Sequence, residues 1–442
     1  NRGLSNSMNF PDRKPSADSS LSAWLAWLET LSPKEIDLGL DRVRAVLDRL
    51  QLKIPAHLLL VAGTNGKGSS VAMLTALLNA ADYSVGTYTS PHLLRYNERV
   101  AVAGVPVADA ELVAAFAHVE SVREDLSLTY FEYGTLAAMV IFAARGLDAW
   151  VLEIGLGGRL DACNAVEPTA SLITNVALDH CDWLGSDVET IAVEKAGVMR
   201  QGVPTVFGSR QVPQSLLREA ENSGANLVLV GRDFDYEANA DGSWSWAGQD
   251  VTLPGLRRPG MQGEFQLGNA AAVLALVEAA GLESVLDPER VNRVLPRVLL
   301  PGRSQEVAAG GARWLLDVAH NPAGAAVLAE TLAAAPKSRR TVGIIGILDD
   351  KDVEGIARQL NPIIDEWIAV TADSPRAIKS DELARRISNA CNRPCRIAES
   401  LHQAMENARR DAAENDRILL TGSFFVIGPA LGILELYSRP ES

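Results

Sequence analysis

The stretch that most constrains the fold is residues 57–70, which read HLLLVAGTNGKGSS. An apolar run at residues 58–62 ends abruptly in a segment that holds three glycines, a lysine and two serines. The apolar run predicts a buried strand, and residues 71–80 predict the helix that follows it. Glycines permit a tight turn whose backbone N–H groups can cradle phosphate oxygens. We therefore predict a phosphate-binding loop (P-loop) between a strand and a helix of an α/β fold.

The residues of this loop suggest how a nucleotide would be held. Lys67 would place its ammonium group at the β- and γ-phosphates, and Ser69 or Ser70 would offer a hydroxyl to Mg²⁺. The usual loop has Ser or Thr directly after the lysine, whereas Gly68 intervenes here, so the loop is a variant. A plain strand-to-helix connection is the alternative, but the flanking strand and helix favour nucleotide binding.

Length and charge limit the classes of partner. A chain of 442 residues is long enough for two domains and a sizeable core. Its 41 basic and 55 acidic residues give a net charge of −14, which argues against a nucleic-acid or anionic-membrane partner.

The cysteines and the termini indicate the compartment. Four cysteines in unrelated positions predict free thiols rather than a disulfide framework or a zinc site: Cys163, Cys181, Cys391 and Cys395. No apolar run is long enough to span a bilayer, so we expect a cytoplasmic protein. Residues 1–20 are polar, and we expect them to be a disordered, tag-like segment outside the fold, with Met8 as a possible native start.

Hydrophobic periodicity predicts alternating helices and strands along the rest of the chain. Helices are predicted at 21–28, 36–50, 109–122, 132–144, 188–198 and 266–280, and strands at 84–89, 148–152, 170–176, 203–208, 226–230, 314–318, 341–347, 366–370 and 417–421. Short β-like pieces at 233–253 suggest a hairpin at a sheet edge. A turn around 298–302 suggests a domain boundary. We predict a P-loop-containing parallel-sheet ATPase domain over residues 21–299 and a smaller Rossmann-like α/β domain over residues 300–442.

Polar residues follow several of these strands, where open α/β sheets bind ligands. Glu153 ends one strand and is placed to hold the Mg²⁺ of a nucleotide. His180 follows the next strand, and a hydrogen-bonded structural residue and a second metal ligand remain equal alternatives for it. For Lys195 the residues favour an ion pair with Glu194 over an altered charge in an active site. The glycines at 155–158 are not a dinucleotide fingerprint, because its third glycine would fall on position 160, and a mobile substrate loop fits better.

Several motifs together resemble one known family. They are GTNGKGS at 63–69, TSPHL at 89–93, LEIGLGGRLDACN at 152–164, LDHCDWLG at 178–185, EKAG at 194–197, PGRSQ at 301–305 and DVAHNP at 317–322. In this order, across nearly the whole chain, they resemble the Mur-ligase-like family, and within it the bacterial bifunctional dihydrofolate synthase/folylpolyglutamate synthases.

The resemblance implies an ATP-dependent ligase that adds L-glutamate to dihydropteroate and to tetrahydrofolates or folylpolyglutamates through an acyl phosphate. It implies two Mg²⁺ sites, a monomer, and a carbamylated Lys195, which replaces the ion-pair interpretation of that residue. The implied catalytic residues are Lys67, Lys195, His180 and His320, and the implied metal ligands are Ser90, Glu153 and His180. The implied nucleotide-binding residues are Thr64, Asn65, Gly66, Lys67, Gly68, Ser69, Asn269, Arg303 and Asp317. The implied substrate-binding residues are Asp37, Leu38, Gly39, Leu40, Thr129, Tyr130, Phe131, Glu132, Leu160, Asp161, Ala162 and Ser423.

Three alternatives remain at this point. A nucleotide-switch protein of the GTPase type would need a base-reading NKxD sequence, which the chain lacks. A Mur-type cell-wall ligase would lack the pairing of SPHL with GGRLDA. A monofunctional folylpolyglutamate synthase usually differs in the LDACN segment.

Overall fold

Three β-sheets organise the chain. A computed structural model describes residues 14–31 and 37–436. Strands β1–β11 form an eight-stranded and a three-stranded sheet, and β12–β17 form a six-stranded sheet. We call the part with β1–β11 the large domain and the part with β12–β17 the C-terminal domain. The boundary predicted at 298–302 lies between these two groups of strands.

The large sheet has the strand order β4-β3-β2-β5-β1-β6-β7-β8. Its strands are β1 (His57–Ala62), β2 (Val85–Tyr88), β3 (Val100–Val102), β4 (Val105–Pro106), β5 (Ala149–Glu153), β6 (Ala170–Ile173), β7 (Pro204–Phe207) and β8 (Asn226–Leu229). All pair in parallel except β3 and β4, which extend one edge in antiparallel fashion.

Helices cover both faces of this sheet. They are α1 (Leu21–Leu31), α2 (Asp41–Leu50), α3 (Lys67–Ala80), α4 (Asp109–Arg123), α5 (Tyr130–Arg145), α6 (Cys181–Leu184), α7 (Val188–Ala196), α8 (Gln214–Ser223), α9 (Phe265–Ala279) and α10 (Pro288–Val294). Along β1, Leu58 and Leu60 point into one core cluster, whereas Leu59 and Val61 point into the other. Because side chains alternate along a strand and both faces are covered, the strand reads as a continuous apolar run.

The segment predicted as a hairpin at a sheet edge forms a separate three-stranded antiparallel sheet, so that prediction was wrong. Its strands are β9 (Asp235–Ala238), β10 (Trp244–Ala247) and β11 (Thr252–Leu256), in the order β11-β10-β9. Trp244 and Trp246 are fully buried, and the indole N–H of Trp246 donates to the carbonyl of Ala271 on α9. Burial of the two indoles against a helix explains why the strands leave the main sheet.

The C-terminal domain is a six-stranded sheet in the order β12-β13-β17-β14-β15-β16. Its strands are β12 (Gln305–Ala309), β13 (Ala312–Leu316), β14 (Thr341–Ile345), β15 (Glu366–Ala369), β16 (Cys395–Ile397) and β17 (Arg417–Thr421), and its helices are α11 (Pro322–Ala334), α12 (Val353–Leu360), α13 (Ser380–Cys391), α14 (Leu401–Asp411) and α15 (Phe424–Ile433). Only β12 runs antiparallel. The prediction of two α/β units with largely parallel sheets is confirmed.

Two predictions near the N-terminus need correction. Residues 14–20 contact the fold rather than lying outside it, since Lys14 pairs with Glu120 at 2.9 Å and the Trp24 indole donates to Ser16. Residues 1–13 lie outside the described residues. The helix predicted at 36–50 begins at Asp41, because residues 37–39 are irregular, and residue 36 is not described.

Two predictions from composition also have an outcome. All four cysteines are free thiols. In the part of the chain that the structure describes, no helix is both long enough and apolar enough to span a bilayer.

Candidate active site

The strand order brings the predicted polar residues to one edge of the large sheet. Strands β2, β5, β1 and β6 are consecutive neighbours and parallel. Ser90, Glu153, the P-loop and His180 follow these four strands in that order. Carboxyl ends of adjacent parallel strands form the ligand-binding edge of such a sheet.

The P-loop backbone requires glycine at two positions. Gly63 and Gly66 have φ values of 142° and 84°. A Cβ on Gly63 would lie 1.8 Å from Thr174 Oγ1, and one on Gly66 would lie 2.6 Å from Asn269 Oδ1. Lys67 Nζ donates back to the carbonyls of Gly63 and Thr64, at 3.1 and 3.3 Å. The lysine side chain is therefore folded back onto the carbonyls of its own loop.

The segment after β6 holds the P-loop in shape. The Asn175 side chain exchanges two hydrogen bonds with the backbone of Asn65, at 3.0 and 2.9 Å. The hydroxyl of Thr64 accepts from the Ala177 N–H at 3.0 Å. Since these partners are more than 100 residues away in sequence, the loop is fixed by tertiary structure rather than by its glycines alone.

Helix α9 contributes the predicted Asn269. Its amide nitrogen donates to Gln266 Oε1 at 3.0 Å, and Gln266 Nε2 donates to the hydroxyl of Ser69 at 3.3 Å. The structure thus brings Asn269 and Ser69 together through Gln266, a residue that the sequence prediction missed.

Ser90 and Glu153, the two residues predicted to hold one Mg²⁺, lie in contact. The Ser90 N–H donates to Glu153 Oε2 at 3.2 Å, and the Glu153 side chain is buried. Burial raises the pKa of Glu153, and the charges of Lys67 and Arg303 oppose that rise. Cations of both domains therefore act on one buried carboxylate.

This donor set fits Mg²⁺. Mg²⁺ in nucleotide sites takes one or two carboxylates, and phosphates and water complete its octahedron. Among the described residues no group of three or more His, Cys, Asp or Glu side chains forms a metal cage. A carboxylate next to a serine, at the open end of a P-loop, suits a metal that also needs phosphate oxygens.

Arg303 and Asp317 come from the C-terminal domain. The Arg303 guanidinium lies over the ring of Phe424, with Cζ 5.4 Å from the centroid, and near Gly68 of the P-loop. Asp317 accepts from the N–H groups of Ser304 and Ala319, at 2.7 and 2.8 Å. The carboxylate thus fixes the backbone next to Arg303.

Asp179 is the main site residue that the sequence analysis missed. Lys351 Nζ donates to Asp179 Oδ1 at 2.7 Å, Asn321 Nδ2 donates to Oδ2 at 2.9 Å, and His320 Nε2 lies 3.4 Å from Oδ2. All three partners belong to the C-terminal domain, and the Asn321 amide also exchanges hydrogen bonds with that of Asn65, at 3.0 and 3.3 Å. Burial alone would raise the pKa of Asp179. The hydrogen bond and charge of His320, with other nearby charges, instead hold that pKa well below its usual range.

A pocket at the domain interface gathers the four residues predicted to be catalytic. Lys67, His180, Lys195 and His320 all line it. Burial lowers the pKa of His180 to about 4, so the imidazole is neutral near pH 7, and Lys351 Nζ lies 3.3 Å from its Nε2.

Lys195 does not pair with Glu194, so the ion-pair interpretation was wrong. Glu194 binds Arg159 at 2.7 Å, and the Lys195 side chain is buried with no hydrogen bond or ion pair to any residue within 14–31 or 37–436. Burial, together with the charge of Lys67, lowers the pKa of Lys195 to about 7. A large fraction of this amine is therefore neutral at physiological pH.

The three segments predicted to meet the pterin lie close together. Arg42 joins the first two, because its guanidinium contacts Asp37 Oδ2 at 2.9 Å and Glu132 Oε1 at 2.8 Å. Phe131 lies against Gly155, whose N–H donates to Asp161 Oδ2 at 3.0 Å. The remaining members of these segments are Leu38, Gly39, Leu40, Thr129, Tyr130, Leu160 and Ala162.

The glycine loop at 155–158 has contacts at both ends. Asp161 Oδ2 also accepts from the Leu156 N–H, and Gly158 packs against the backbone of Glu194 and Lys195. Burial raises the pKa of Asp161 to about 6. The mobility of this loop stays a prediction.

His320 and Ser423 lie near each other in the C-terminal domain. His320 Nδ1 lies 2.9 Å from the Val318 carbonyl, and its ring is 6.0 Å from that of Phe424. Ser423 is buried, and its hydroxyl accepts from the Phe425 N–H as the N-cap of α15. His320 faces the pocket, whereas the Ser423 hydroxyl is already engaged at the helix end.

Comparison with known sequences identifies two matching family models. The Mur ligase middle domain matches residues 61–277, and the Mur ligase, glutamate ligase domain matches residues 302–424. The chain is 39% identical to the dihydrofolate synthase/folylpolyglutamate synthase of Escherichia coli (strain K12), over 96% of this chain and 97% of that protein. It is 37% identical to the Haemophilus influenzae protein of the same name, over 95% and 98% of the two chains.

Solved structures give the same result. The structure described as E. coli FolC in complex with DHPP and ADP has a TM-score of 0.89 at 39% identity, and covers 96% of this chain and 99% of that one. A bifunctional folylpolyglutamate synthase/dihydrofolate synthase from Yersinia pestis, complexed with AMPPNP and Mn ion, has a TM-score of 0.88 at 40% identity, with 96% and 100% coverage.

Proposed function

This chain belongs to the Mur ligase family, in the branch of the dihydrofolate synthase/folylpolyglutamate synthases, and from that premise we propose its reaction and the roles of its residues. The protein is an ATP-dependent acid–amino-acid ligase that adds L-glutamate to dihydropteroate, forming dihydrofolate, and to tetrahydrofolates, forming polyglutamates. The observation that carries the proposal is that the Arg303 guanidinium of the C-terminal domain lies against Gly68 of the P-loop, next to Lys67, while Glu153 is buried at the same edge of the large sheet.

In the first step a substrate carboxylate attacks the γ-phosphorus of ATP, ADP leaves, and an acyl phosphate forms. In-line phosphoryl transfer needs positioning and neutralisation of charge more than covalent chemistry from the protein. The loop at residues 64–69, which includes Lys67, surrounds the phosphates. Asn269, Arg303 and Asp317 complete the nucleotide site. Arg303 is well placed for this, because Phe424 and the backbone fixed by Asp317 restrict it.

Ser90 and Glu153 hold one Mg²⁺, and neutral His180 contributes to a second. The metal, when bound, neutralises the charge that develops on the phosphates. Lys195 carries a carbamate that supports the second metal. Its buried, unpaired amine with a pKa near 7 favours this modification, since only a neutral amine reacts with CO₂.

In the second step the amino group of glutamate attacks the acyl carbon, phosphate leaves, and the nitrogen loses a proton as the amide forms. His320 faces the pocket from the C-terminal domain and contacts Asp179, so it is placed to orient glutamate or the leaving phosphate. Ser423 acts less directly, as the cap that fixes the start of α15. The pterin ring lies among the segments 37–40, 129–132 and 160–162.

The proposal also includes the oligomeric state of the protein and its cellular compartment. Both domains that build the site belong to one chain, which supports a monomer as the active unit. Four free thiols are consistent with a reducing compartment such as the cytoplasm.

An ADP-release assay tests the reaction. With ATP, Mg²⁺ and glutamate, release is expected with dihydropteroate and with tetrahydrofolate, measured in parallel. Release with tetrahydrofolate alone would reduce the assignment to a monofunctional folylpolyglutamate synthase. Release only with a UDP-sugar acceptor would make it a cell-wall ligase, and no release with any acceptor would refute the ligase.

A further inference from the structure

Helix α15 of the C-terminal domain approaches the backbone of the large domain at Gly428. A Cβ built on Gly428 would lie 2.1 Å from the carbonyl oxygen of Leu93 and 2.9 Å from its carbonyl carbon. The Leu93 side chain packs against the apolar core cluster of the C-terminal domain. Helix and loop are therefore closer than any residue other than glycine would allow at position 428.

Leu93 belongs to a loop that is stiff and that begins at the metal site. The carboxylate of Glu98 accepts from the N–H groups of Leu93, Leu94 and Arg95, at 2.7, 2.9 and 2.6 Å. The same loop starts at Ser90, whose N–H donates to Glu153. A displacement of the Leu93 carbonyl would therefore be transmitted to Ser90 rather than absorbed by the loop.

The first turn of α15 supports residues on the opposite side of the site. Phe424 is the first residue of the helix, and its ring lies against both Arg303 and His320, at 5.4 Å and 6.0 Å. One short helix thus contacts the loop that carries Ser90 and the side chains that face the phosphates.

The helix is also fixed within its own domain. Pro429 lacks the N–H that would normally bond to the carbonyl of Phe425, and the N–H of Asp373 donates to that carbonyl instead, at 3.2 Å. The helix is therefore not free to move aside when its contact with the loop changes.

We propose that Gly428 is a positioning residue of the ligase. By leaving room for the Leu93 carbonyl, it sets the separation between the metal-binding pair Ser90 and Glu153 and the phosphate-facing pair Arg303 and His320. The proposal rests on the function proposed above, and it adds a residue that contacts neither nucleotide nor metal. Its effect on catalysis passes through the loop and the helix.

The test compares two glycines of the same helix. Gly428→Ala adds a methyl group at the contact, whereas Gly432→Ala adds one where no atom lies within 4 Å. Alanine favours a helix over glycine at both positions, so the comparison isolates the contact from helix propensity. The readouts are the Mg²⁺ concentration for half-maximal ADP release, the melting temperature, and the radius of gyration by small-angle X-ray scattering with AMPPNP and Mg²⁺.

Gly428→Ala is expected to raise the half-saturating Mg²⁺ concentration about tenfold and to lower kcat about tenfold, because overpacking forces a backbone shift. Its radius of gyration with nucleotide should exceed that of the unsubstituted protein, and its melting temperature should be lower. Gly432→Ala should match the unsubstituted protein in Mg²⁺ requirement, kcat and radius of gyration, with an equal or higher melting temperature.

Leu93→Ala provides a second route to the same contact, since it removes the side chain that packs on the C-terminal core without adding bulk. It should shift the Mg²⁺ requirement in the same direction by a smaller factor, even if Gly428→Ala fails to fold. An unchanged Mg²⁺ requirement in Leu93→Ala or in folded Gly428→Ala, or equal shifts in the two glycine variants, would overturn the proposal. The scattering comparison does not need turnover, so a failed ligase assay of the unsubstituted protein refutes the function and not the contact.

Discussion

At the scale of single residues, the site depends on ionisable groups whose pKa values are changed by burial. Glu153, Asp161, His180 and Lys195 all have pKa values shifted toward the neutral form, with burial as the largest cause. Perturbed groups that meet in a cleft between domains are typical of catalytic sites. Two predictions belong to this scale.

Glu153→Gln should lower turnover by about 100-fold or more while the fold persists, because the amide keeps the shape of the side chain and removes the charge that a divalent metal needs. The measurement pairs ADP release with Mn²⁺ binding followed by electron paramagnetic resonance. Glu124→Gln, at an exposed position, serves as the control. Near-normal Mn²⁺ affinity in Glu153→Gln would show that the metal is held elsewhere.

Lys195 should take up CO₂ more readily as pH rises through about 7. Its folded pKa is depressed to about 7, so the neutral amine predominates above that value and the ammonium below it. Protein equilibrated with ¹³CO₂ at pH 8 should give a carbamate carbon signal by NMR that weakens at pH 6 and is missing from Lys195→Ala. Addition of a short carboxylic acid should restore part of the activity of that variant. A carbamate signal that survives in Lys195→Ala would assign the modification to another amine.

At the scale of elements, the sequence predicted where the strands lie along the chain better than it predicted how they pair in the sheets. Buried parallel strands read as apolar runs, so β1, β5 and β17 were predicted nearly to the residue. The short strands β3, β4, β12 and β16 were missed, because strands of two to five residues leave little periodic signal. The separate sheet around Trp244 was missed for a different reason, since tertiary burial of the indole rather than local pattern decides its position.

The dependence on tertiary structure also limited how much of the site could be predicted from sequence. Residues in contiguous motifs, such as those of the P-loop, could be assigned from sequence. Asp179 stands in the motif at 178–185, but its role could not be assigned, because its main partner Lys351 lies 172 residues away and outside every motif. The role of Gly428 was equally hidden, since it depends on a carbonyl of another domain.

Gly63→Ala tests the P-loop as an element. The methyl group would meet Thr174 Oγ1 at 1.8 Å and displace either the loop or the end of β6, so ATP affinity should fall by at least about tenfold. Gly104→Ala is the matched control, because Gly104 also has a positive φ, of 79°, but has no atom within 4 Å of a Cβ. Binding of a fluorescent ATP analogue measures the effect. Equal losses of ATP affinity in both variants would show that backbone strain, rather than the contact with Thr174, causes the effect.

At the scale of the whole molecule, a buried carboxylate links the two domains. Asp179 of the large domain is contacted by Lys351, Asn321 and His320 of the C-terminal domain. Because Asn321 also binds Asn65, the same contact reaches the P-loop. Closure of the domains and the shape of the nucleotide site are thereby linked.

Asp179→Asn should weaken that closure. The ammonium of Lys351 would lose its closest anionic partner in a buried place, a loss of at most about 3–5 kcal/mol, because Asp350 remains 3.3 Å away. Small-angle scattering should show a larger radius of gyration, and the KM for ATP should rise. The control is Glu382→Gln, which breaks an exposed ion pair with Arg385, a kind of pair that contributes little to stability. A compact Asp179→Asn protein with unchanged KM would contradict the link.

The segment that joins the eight-stranded sheet to the six-stranded sheet limits where recombinant chimeras can be joined. It contributes to the site, because Arg303 and Ser304 lie within it, between α10 and β12. One inserted residue would shift the guanidinium by as much as about 3.5 Å, more than the length of a hydrogen bond. A crossover between this chain and a relative therefore belongs upstream of residue 298, so that the arginine is inherited together with the half of the protein that orients it.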